Sequence, residues 1–302
     1  MRAYLMKVVF AMIILSVPLN SFGDEAVKWN HITSVYTDSK GNGINRPEGV
    51  ACSDKSIFIV ADTGNSRLLR YTYQELAVTG GEEIKMPEMT YPLRVQINSS
   101  GEIFVLDGKL LQIVRLNPDG TFKSYIEPEG LPSPAPVIPR SFRIDSKENI
   151  YILDIFSDRI LILDQTGKYL KDIALPKDNG FISDLAISNT GNIFILDSVK
   201  AIVYSASQES KEFSPLTTEL KEYMNFPVNM AVDAQGFIFL ADQSGGYITI
   251  LGQDGSFRGH YLSFGWKEGR LRYPSQLCIN EKQEVFIADR ENSRIQIFTV
   301  LK

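Results

Sequence analysis

The sequence predicts an all-β protein, a β-propeller of six four-stranded antiparallel blades. The first observation behind this prediction is a repeat, in which a short apolar run ending in aspartate occurs six times at intervals of 43 to 47 residues. The aspartates are Asp62, Asp107, Asp154, Asp197, Asp242 and Asp289. The second observation is that each run is apolar at consecutive positions, so other sheets must cover both of its faces. Sheets stacked radially around a channel provide this cover, and repeats of this length are typical of propellers.

Each repeat contains the signals of four strands. A segment with alternating apolar residues, such as Val95 and Ile97, precedes the apolar run, and a turn such as residues 99–101 joins the two. Period two indicates a strand, and the short turn indicates an antiparallel hairpin. A third strand follows each aspartate, and a further turn, as at residues 118–120, leads to the outermost strand. Residues 214–223 are the exception, because Pro215 near their start predicts the beginning of a helix.

The ring is predicted to close through the N-terminal part of the chain. The sixth repeat supplies three strands, and residues 29–36 have the pattern of a strand ahead of the first repeat. We expect this N-terminal strand to complete the last blade and so remove an open sheet edge. Cys52 and Cys278 lie on the inner strands of the first and sixth blades, which become neighbours on closure. A disulfide across the junction and two buried free thiols are both open at this point.

The N-terminus is typical of a secretory signal peptide. Arg2 and Lys7 precede an apolar run at residues 8–17, and the small residues Ser21 and Gly23 follow. We therefore predict a signal peptide at residues 1–23, a single propeller at residues 24–302, and a periplasmic or extracellular location. An uncleaved anchor is the alternative, although the run is shorter than the roughly 20 residues that span a bilayer, so we expect no membrane insertion after cleavage. The formal net charge of −5, without a basic stripe, argues against a nucleic-acid partner.

The repeats resemble those of the NHL family over residues 29–300. In the last repeat, the resemblance rests on the strand after the aspartate, Asn292-Ser293-Arg294-Ile295-Gln296-Ile297-Phe298, and on the segment that leads into the blade, Phe264-Gly265-Trp266 with Tyr273-Pro274-Ser275. In the first repeat, it rests on the segment that leads into the blade, Arg46-Pro47-Glu48-Gly49-Val50-Ala51, and on the aspartate with the residues after it, Asp62-Thr63-Gly64-Asn65-Ser66-Arg67. The middle repeats depart from it, because the arginine five positions after the aspartate is kept as Arg159 but replaced by Gln112, Ile202 and Tyr247. The resemblance implies a propeller that binds proteins, peptides or other ligands. Similar six-bladed rings include metal-dependent lyases and lactonases.

The candidate ligand-binding residues lie where the inner strands begin. Proline marks this point in five blades, and the position two residues later varies most from blade to blade. Variation within a repeated scaffold leaves room for ligand recognition, and two further polar residues follow deeper in the channel. The predicted ligand-binding residues are Arg94, Gln96, Ser141, Arg143, Asp184, Asn229 and Gln276. A solvated polar rim without a ligand is the alternative. Trp266 and Phe156 are candidate interface anchors.

The six aspartates that end the apolar runs have two interpretations. In the first interpretation, the aspartates form a carboxylate ring that holds Ca²⁺ in the channel. In the second, they accept hydrogen bonds from backbone amides and from Arg67, Arg159 and Arg294. A motif present in every blade serves what every blade needs, so we expect the second and predict no cofactor.

The sequence favours a non-enzymatic scaffold for a protein or peptide partner, either a monomer or an accessory subunit of an envelope complex. The alternative is a metal-dependent lyase or lactonase that uses Arg94, Arg143 and Asp184 at the channel mouth. His31 and His260 are the two histidines, and they are expected on a closing and an outer strand. A zinc site of three histidines is therefore hard to build, and we assign no catalytic residue and no metal ligand.

Overall fold

A computed structural model describes residues 27–53, 55–133 and 136–301 as six four-stranded antiparallel sheets arranged in a ring. The predicted fold class and blade number are thus confirmed. The predicted signal peptide, residues 1–23, lies outside the described residues. Strands are numbered β1 to β24 in chain order, and two single-turn 3₁₀ helices follow the second strands of the first and last blades, at Thr63–Asn65 and Arg290–Asn292.

The blades are described from the channel outwards. Blade 1 contains β2 (Gly49–Cys52), β3 (Ile57–Asp62), β4 (Arg67–Gln74) and β5 (Ala77–Ile84). Blade 2 contains β6 (Pro92–Ile97), β7 (Ile103–Asp107), β8 (Gln112–Leu116) and β9 (Phe122–Tyr125). Blade 3 contains β10 (Pro139–Ile144), β11 (Ile150–Asp154), β12 (Arg159–Leu163) and β13 (Tyr169–Ala174).

The remaining blades follow the same order. Blade 4 contains β14 (Ile182–Ile187), β15 (Ile193–Asp197), β16 (Ile202–Ala206) and β17 (Ser214–Pro215). Blade 5 contains β18 (Pro227–Val232), β19 (Ile238–Asp242), β20 (Tyr247–Leu251) and β21 (Phe257–Tyr261). Blade 6 contains β22 (Pro274–Ile279), β23 (Glu284–Asp289), β24 (Arg294–Leu301) and, as its outer strand, β1 (Lys28–Val35).

The core consists of six apolar clusters, one between each pair of adjacent blades. The second strands supply most of it, and β7 and β15 are buried along their whole length. Between blades 6 and 1, Phe58 stacks on Tyr71 at 4.9 Å and meets Phe286 at 5.2 Å. Burying an apolar side chain of this size contributes about 1.5–3 kcal/mol. Both faces of each second strand are covered, as the uninterrupted apolar runs predict.

The N-terminal strand closes the ring as expected. β1 pairs with β24 from Lys28 opposite Leu301 to Val35 opposite Ile295, with a bulge between His31 and Thr33. Inner strands of blades 1 and 6 are also joined by a disulfide between Cys52 and Cys278, whose Cα atoms are 6.0 Å apart. Of the two alternatives for these cysteines, the structure contains the disulfide. Strand pairing and a covalent link therefore hold the same junction.

The two ends of the ring differ in what they carry. The top face is the end at which the inner strands begin, the second strands end and the chain crosses to the next blade. The bottom face carries the turns between first and second and between third and fourth strands. The helix predicted at residues 214–223 is wrong, because Ser214 and Pro215 pair with Ser205 and Tyr204 as an edge strand, and edge strands tolerate proline.

Candidate functional site

The six repeat aspartates anchor the connections that cross the top face. Asp107 accepts hydrogen bonds from the backbone N–H groups of Thr90 and Tyr91, which precede its own inner strand, and of Lys109 and Leu110. Burial alone would raise the pKa of this carboxyl, but the four donors outweigh burial and lower the pKa. The carboxylate thus fixes the point at which the chain enters blade 2.

The last repeat uses side chains for the same purpose. Asp289 accepts hydrogen bonds from Arg272 N at 2.7 Å, Asn292 Nδ2 at 2.8 Å, Arg294 Nε at 2.7 Å and Gln296 Nε2 at 2.9 Å. Burial nevertheless raises the pKa of the Asp289 carboxyl.

The predicted arginine partners are found at the other two positions as well. Arg67 donates to Asp62 at 2.7 Å, and Arg159 donates to Asp154 at 3.1 Å. The hydrogen-bonding interpretation of the repeat aspartates is confirmed.

A buried ion pair lies in the channel. Asp184 accepts hydrogen bonds from Arg143 Nη2 at 2.8 Å, Asn229 Nδ2 at 2.7 Å, the Met230 N–H at 2.8 Å and the Ser141 hydroxyl. Four donors from blades 3 and 5 therefore converge on one carboxylate of blade 4. The Asp184 side chain is fully buried and that of Arg143 is 10% exposed. The pair ties three blades together at the centre of the ring.

Arg143 is held on its remaining sides by backbone carbonyls. It donates to Phe142 O and Met230 O, each at 2.9 Å. Desolvation lowers the pKa of Arg143, the Asp184 charge opposes this shift, and the like charge of Arg94 reinforces it. The two arginines of the channel are thus near enough to repel each other.

The opposite side of the channel is joined by amides. Asn229 accepts a hydrogen bond from the Leu277 N–H at 2.9 Å, and Gln276 bonds both the N–H and the carbonyl of Val95. Gln276 reaches from blade 6 to blade 2 past Gly49 of blade 1. A Cβ at Gly49 would lie 2.9 Å from Gln276 Oε1 and 2.8 Å from Leu93 O. The missing side chain in blade 1 therefore makes room for this bridge.

Arg94 crosses the channel above this level. Its Nη1 donates to Ser275 O at 2.8 Å and Glu48 O at 3.3 Å, and its Nη2 approaches Val228 O at 3.4 Å. These carbonyls belong to blades 6, 1 and 5. Gln96 lies deeper in the channel and is half-buried. Six of the predicted residues thus bridge neighbouring or opposite blades, and we call them the channel network: Arg94, Ser141, Arg143, Asp184, Asn229 and Gln276.

One basic residue at the channel mouth lies outside the predicted set. Arg140 follows the first residue of β10, and its guanidinium lies 4.1 Å from the ring centre of Phe181, which precedes blade 4. Phe226, which precedes blade 5, is 6.3 Å from Phe181. Arg140 Nε is buried without a hydrogen-bond partner among the described residues. Burial lowers the pKa of this arginine. The signal available in the sequence was an arginine directly after Pro139, where other blades have small, apolar or acidic residues.

Most of the exposed large apolar side chains among the described residues lie on the top face. Trp266 is 74% exposed and Phe156 is 54% exposed. The others at this end are Tyr36, Leu110, Leu111, Phe181, Val199, Tyr223, Phe264 and Tyr273. Tyr36 is held by hydrogen bonds to Glu268 and Arg294, so part of this surface is fixed in place.

The two histidines lie away from the channel, as predicted. His31 on β1 bonds Ser34, and His260 on β21 bonds Thr249. Desolvation lowers the pKa of both imidazoles. Across the part of the chain that the structure describes, no three His, Cys, Asp or Glu side chains come together as a metal site. In the same part, no helix has the length and apolar character needed to cross a bilayer.

Comparison with known families identifies the repeat. The NHL repeat matches residues 271–298, which comprise most of blade 6. The protein is a six-bladed β-propeller whose last blade matches the NHL repeat. No curated protein sequence matches the chain significantly.

Solved structures resemble this propeller in fold. Virginiamycin B lyase from Staphylococcus aureus is 14% identical with a TM-score of 0.62, covering 91% of this chain and 100% of that chain. A gluconolactonase from Xanthomonas campestris is 12% identical with a TM-score of 0.66, covering 91% of this chain and 90% of that one. A chain of the nidogen/laminin complex is 16% identical with a TM-score of 0.59, covering 77% of this chain and 87% of that chain. Two of these are enzymes and one is part of a protein complex, so the likeness shows the fold alone.

Proposed function

We propose that this protein is an exported, non-enzymatic scaffold that binds a protein or peptide partner on its top face. The observation that carries the proposal is the concentration of exposed apolar side chains at that end of the ring. Exposed apolar side chains gathered at one end of a folded protein favour an interaction site at that end. Trp266 and Phe156 have the residue type and exposure expected of interface anchors.

The rigidity of the face supports the same role. The repeat aspartates fix the blade-to-blade connections, and the channel network ties opposite blades together below them. A preorganised surface loses little conformational freedom on binding, which favours affinity. The top face therefore combines variable connections with a rigid base, the usual arrangement of a binding surface.

The disulfide supports export. Disulfides persist in oxidising compartments and are rare in the cytosol, and the Cys52–Cys278 bridge joins the two ends of the ring. Together with the signal peptide predicted at residues 1–23, this favours a periplasmic or extracellular location.

The channel network favours binding over the lyase or lactonase alternative. Asp184 accepts four hydrogen bonds, and it is the one acidic residue on the six described inner strands. A metal ion at the channel mouth would need several free oxygen ligands. Arg143 and Asp184 instead satisfy each other, so we assign them a structural role.

Site-specific crosslinking tests the proposal. The photoreactive residue benzoylphenylalanine replaces Trp266 or Phe156 on the top face, and Leu76 or Leu170 on the bottom face as controls of similar exposure. The full-length variants are expressed in the native host, irradiated, and resolved by denaturing electrophoresis and mass spectrometry. We expect one protein adduct from the top-face positions. Equal adducts from the bottom face, or none from the top face, would refute the proposed function.

A further inference from the structure

We infer that the mouth of the channel binds a carboxylate of the partner peptide, next to an apolar side chain of that peptide. The inference rests on the proposed function and names the chemistry that the top face recognises. It is carried by two arginines of the mouth, Arg94 and Arg140, neither of which pairs with a carboxylate among the described residues.

The channel carries an excess of positive charge. The described inner strands carry four charged side chains, Arg94, Arg140, Arg143 and Asp184, which sum to two positive charges, whereas the whole chain has a formal net charge of −5. Asp184 is fully used by its four donors. The local field at the mouth is therefore opposite in sign to that of the protein as a whole and attracts an anion.

Arg94 meets neutral acceptors only. Its three partners are the backbone carbonyls of Glu48, Val228 and Ser275, two of them at 3.3–3.4 Å. The nearby Glu48 carboxylate is engaged by Arg290 Nε at 2.7 Å. A guanidinium forms shorter and stronger hydrogen bonds to a carboxylate than to a carbonyl. Arg94 is partly exposed, so a carboxylate that arrives from the top face can replace its longer contacts.

Arg140 offers a second donor beside an apolar surface. One guanidinium face lies on Phe181, and its Nε has no acceptor among the described residues. Phe226 extends the apolar surface towards blade 5. Stacking on an aromatic ring fixes the plane of a guanidinium and leaves its edge free for hydrogen bonds. The mouth therefore presents an arginine donor directly beside phenylalanine rings, which matches a carboxylate adjacent to an apolar group.

Three pools of hexapeptides test the inference on the immobilised protein. All are N-acetylated and free of other acidic residues; the first contains Phe-Glu and a C-terminal amide, the second Phe-Gln and an amide, and the third Phe-Gln and a free C-terminus. Retained peptides are quantified by mass spectrometry. We expect the first or third pool to be retained about ten-fold or more over the second. The first pool reports a side-chain carboxylate, and the third reports a C-terminal carboxylate.

Variants locate the binding site. Arg140→Gln, whose side chain has no hydrogen bond to another described residue, and Arg94→Gln should each abolish the preference for a carboxylate. Lys109→Gln is the matched control, because Lys109 also lies over an aromatic ring on the top face, at 5.2 Å from the Tyr91 ring centre. It should keep the preference. Equal retention of the three pools by the unmodified protein, or an unchanged preference in Arg140→Gln, would overturn the inference. If Arg94→Gln unfolds, Arg140→Gln decides alone.

The failure of this inference and that of the proposed function are distinguishable. A top-face crosslink at Trp266 together with equal retention of the three pools would leave the scaffold function in place and remove the carboxylate. The absence of the crosslink would remove the function itself.

Discussion

Replacement of Asp184 tests the assignment of the channel network as the structural centre of the ring. The Asp184→Ala variant leaves the Arg143 charge buried and removes the acceptor for Ser141, Asn229 and the Met230 N–H. Removing one partner of a buried ion pair costs about 3–5 kcal/mol, and each neutral donor left without an acceptor adds about 1 kcal/mol or more. We expect the free energy of unfolding to fall by about 4 kcal/mol or more.

The assay is urea unfolding followed by tryptophan fluorescence. With an m-value of about 3 kcal/mol/M, at the upper end of the range because this chain is long, the loss lowers the midpoint by about 1.3 M. A double-mutant cycle with Arg143→Ala isolates the pair. Because the double variant buries no unpaired charge, its destabilisation should be about 2 kcal/mol less than the sum of the single ones.

A surface pair provides the control for this cycle. Arg46 and Glu291 are 2.6 Å apart, but their side chains are 54% and 28% exposed. Their coupling should be below about 1 kcal/mol because water screens exposed charges. A loss below about 1 kcal/mol in Asp184→Ala, or a channel coupling no larger than the surface coupling, would show that the network does not hold the ring.

Four further variants probe the ring junction, the top face and the pH response. Replacing Cys52 and Cys278 by serine should lower the free energy of unfolding by about 2–5 kcal/mol, since the bridge spans 226 residues, and dithiothreitol should then destabilise only the unmodified protein. Trp29→Ala removes contacts with three rings of blades 5 and 6 and should lower the free energy of unfolding by about 3 kcal/mol. Trp266→Ala should lower the free energy of unfolding by less than about 0.5 kcal/mol and weaken partner binding. Equal losses of unfolding free energy in the two variants would contradict this prediction. Burial lowers the pKa of His260, so the unfolded state takes up a proton at a higher pH than the folded state. The free energy of unfolding should therefore fall as the pH drops below about 6.5. His260→Phe should make this fall smaller when urea titrations at pH 7 and pH 5.5 are compared.

The fold could be predicted from the sequence because its main signal is periodic. Six apolar runs ending in aspartate report the second strand of every blade, and that strand is buried on both faces. The helix expected at residues 214–223 was wrong because the proline signal is local, whereas pairing of Ser214 and Pro215 with blade 4 is a tertiary effect.

The candidate site was predictable as a set of positions, not as a set of contacts. Strand alternation indicates which side chains enter the channel, but which ones meet across it depends on the arrangement of blades around the ring. Gln276 reaches Val95 only because Gly49 leaves a gap between them. The role of Gly49 becomes visible only when three blades are placed side by side.

Arg140 does not fit the strand pattern that predicts the other channel residues. The register of β10 shifts between Pro139 and Ser141, so Arg140 lies in a bulge outside the strict alternation of the strand. Bulges redirect side chains at sheet ends and near functional sites. A pattern that counts every second residue from the proline passes over this position.

The pairing of β1 with β24 also determines when the ring can close during folding. β1 is among the first segments to leave the ribosome, yet its partner includes Leu301, about 270 residues later. At roughly 5–20 residues per second, β1 waits about 15–50 s for that partner. During this interval blades 1 to 5 can assemble in order of synthesis, while β1 remains an unpaired strand. We therefore expect factors that bind nascent chains to act mainly on β1, the strand that is synthesised first.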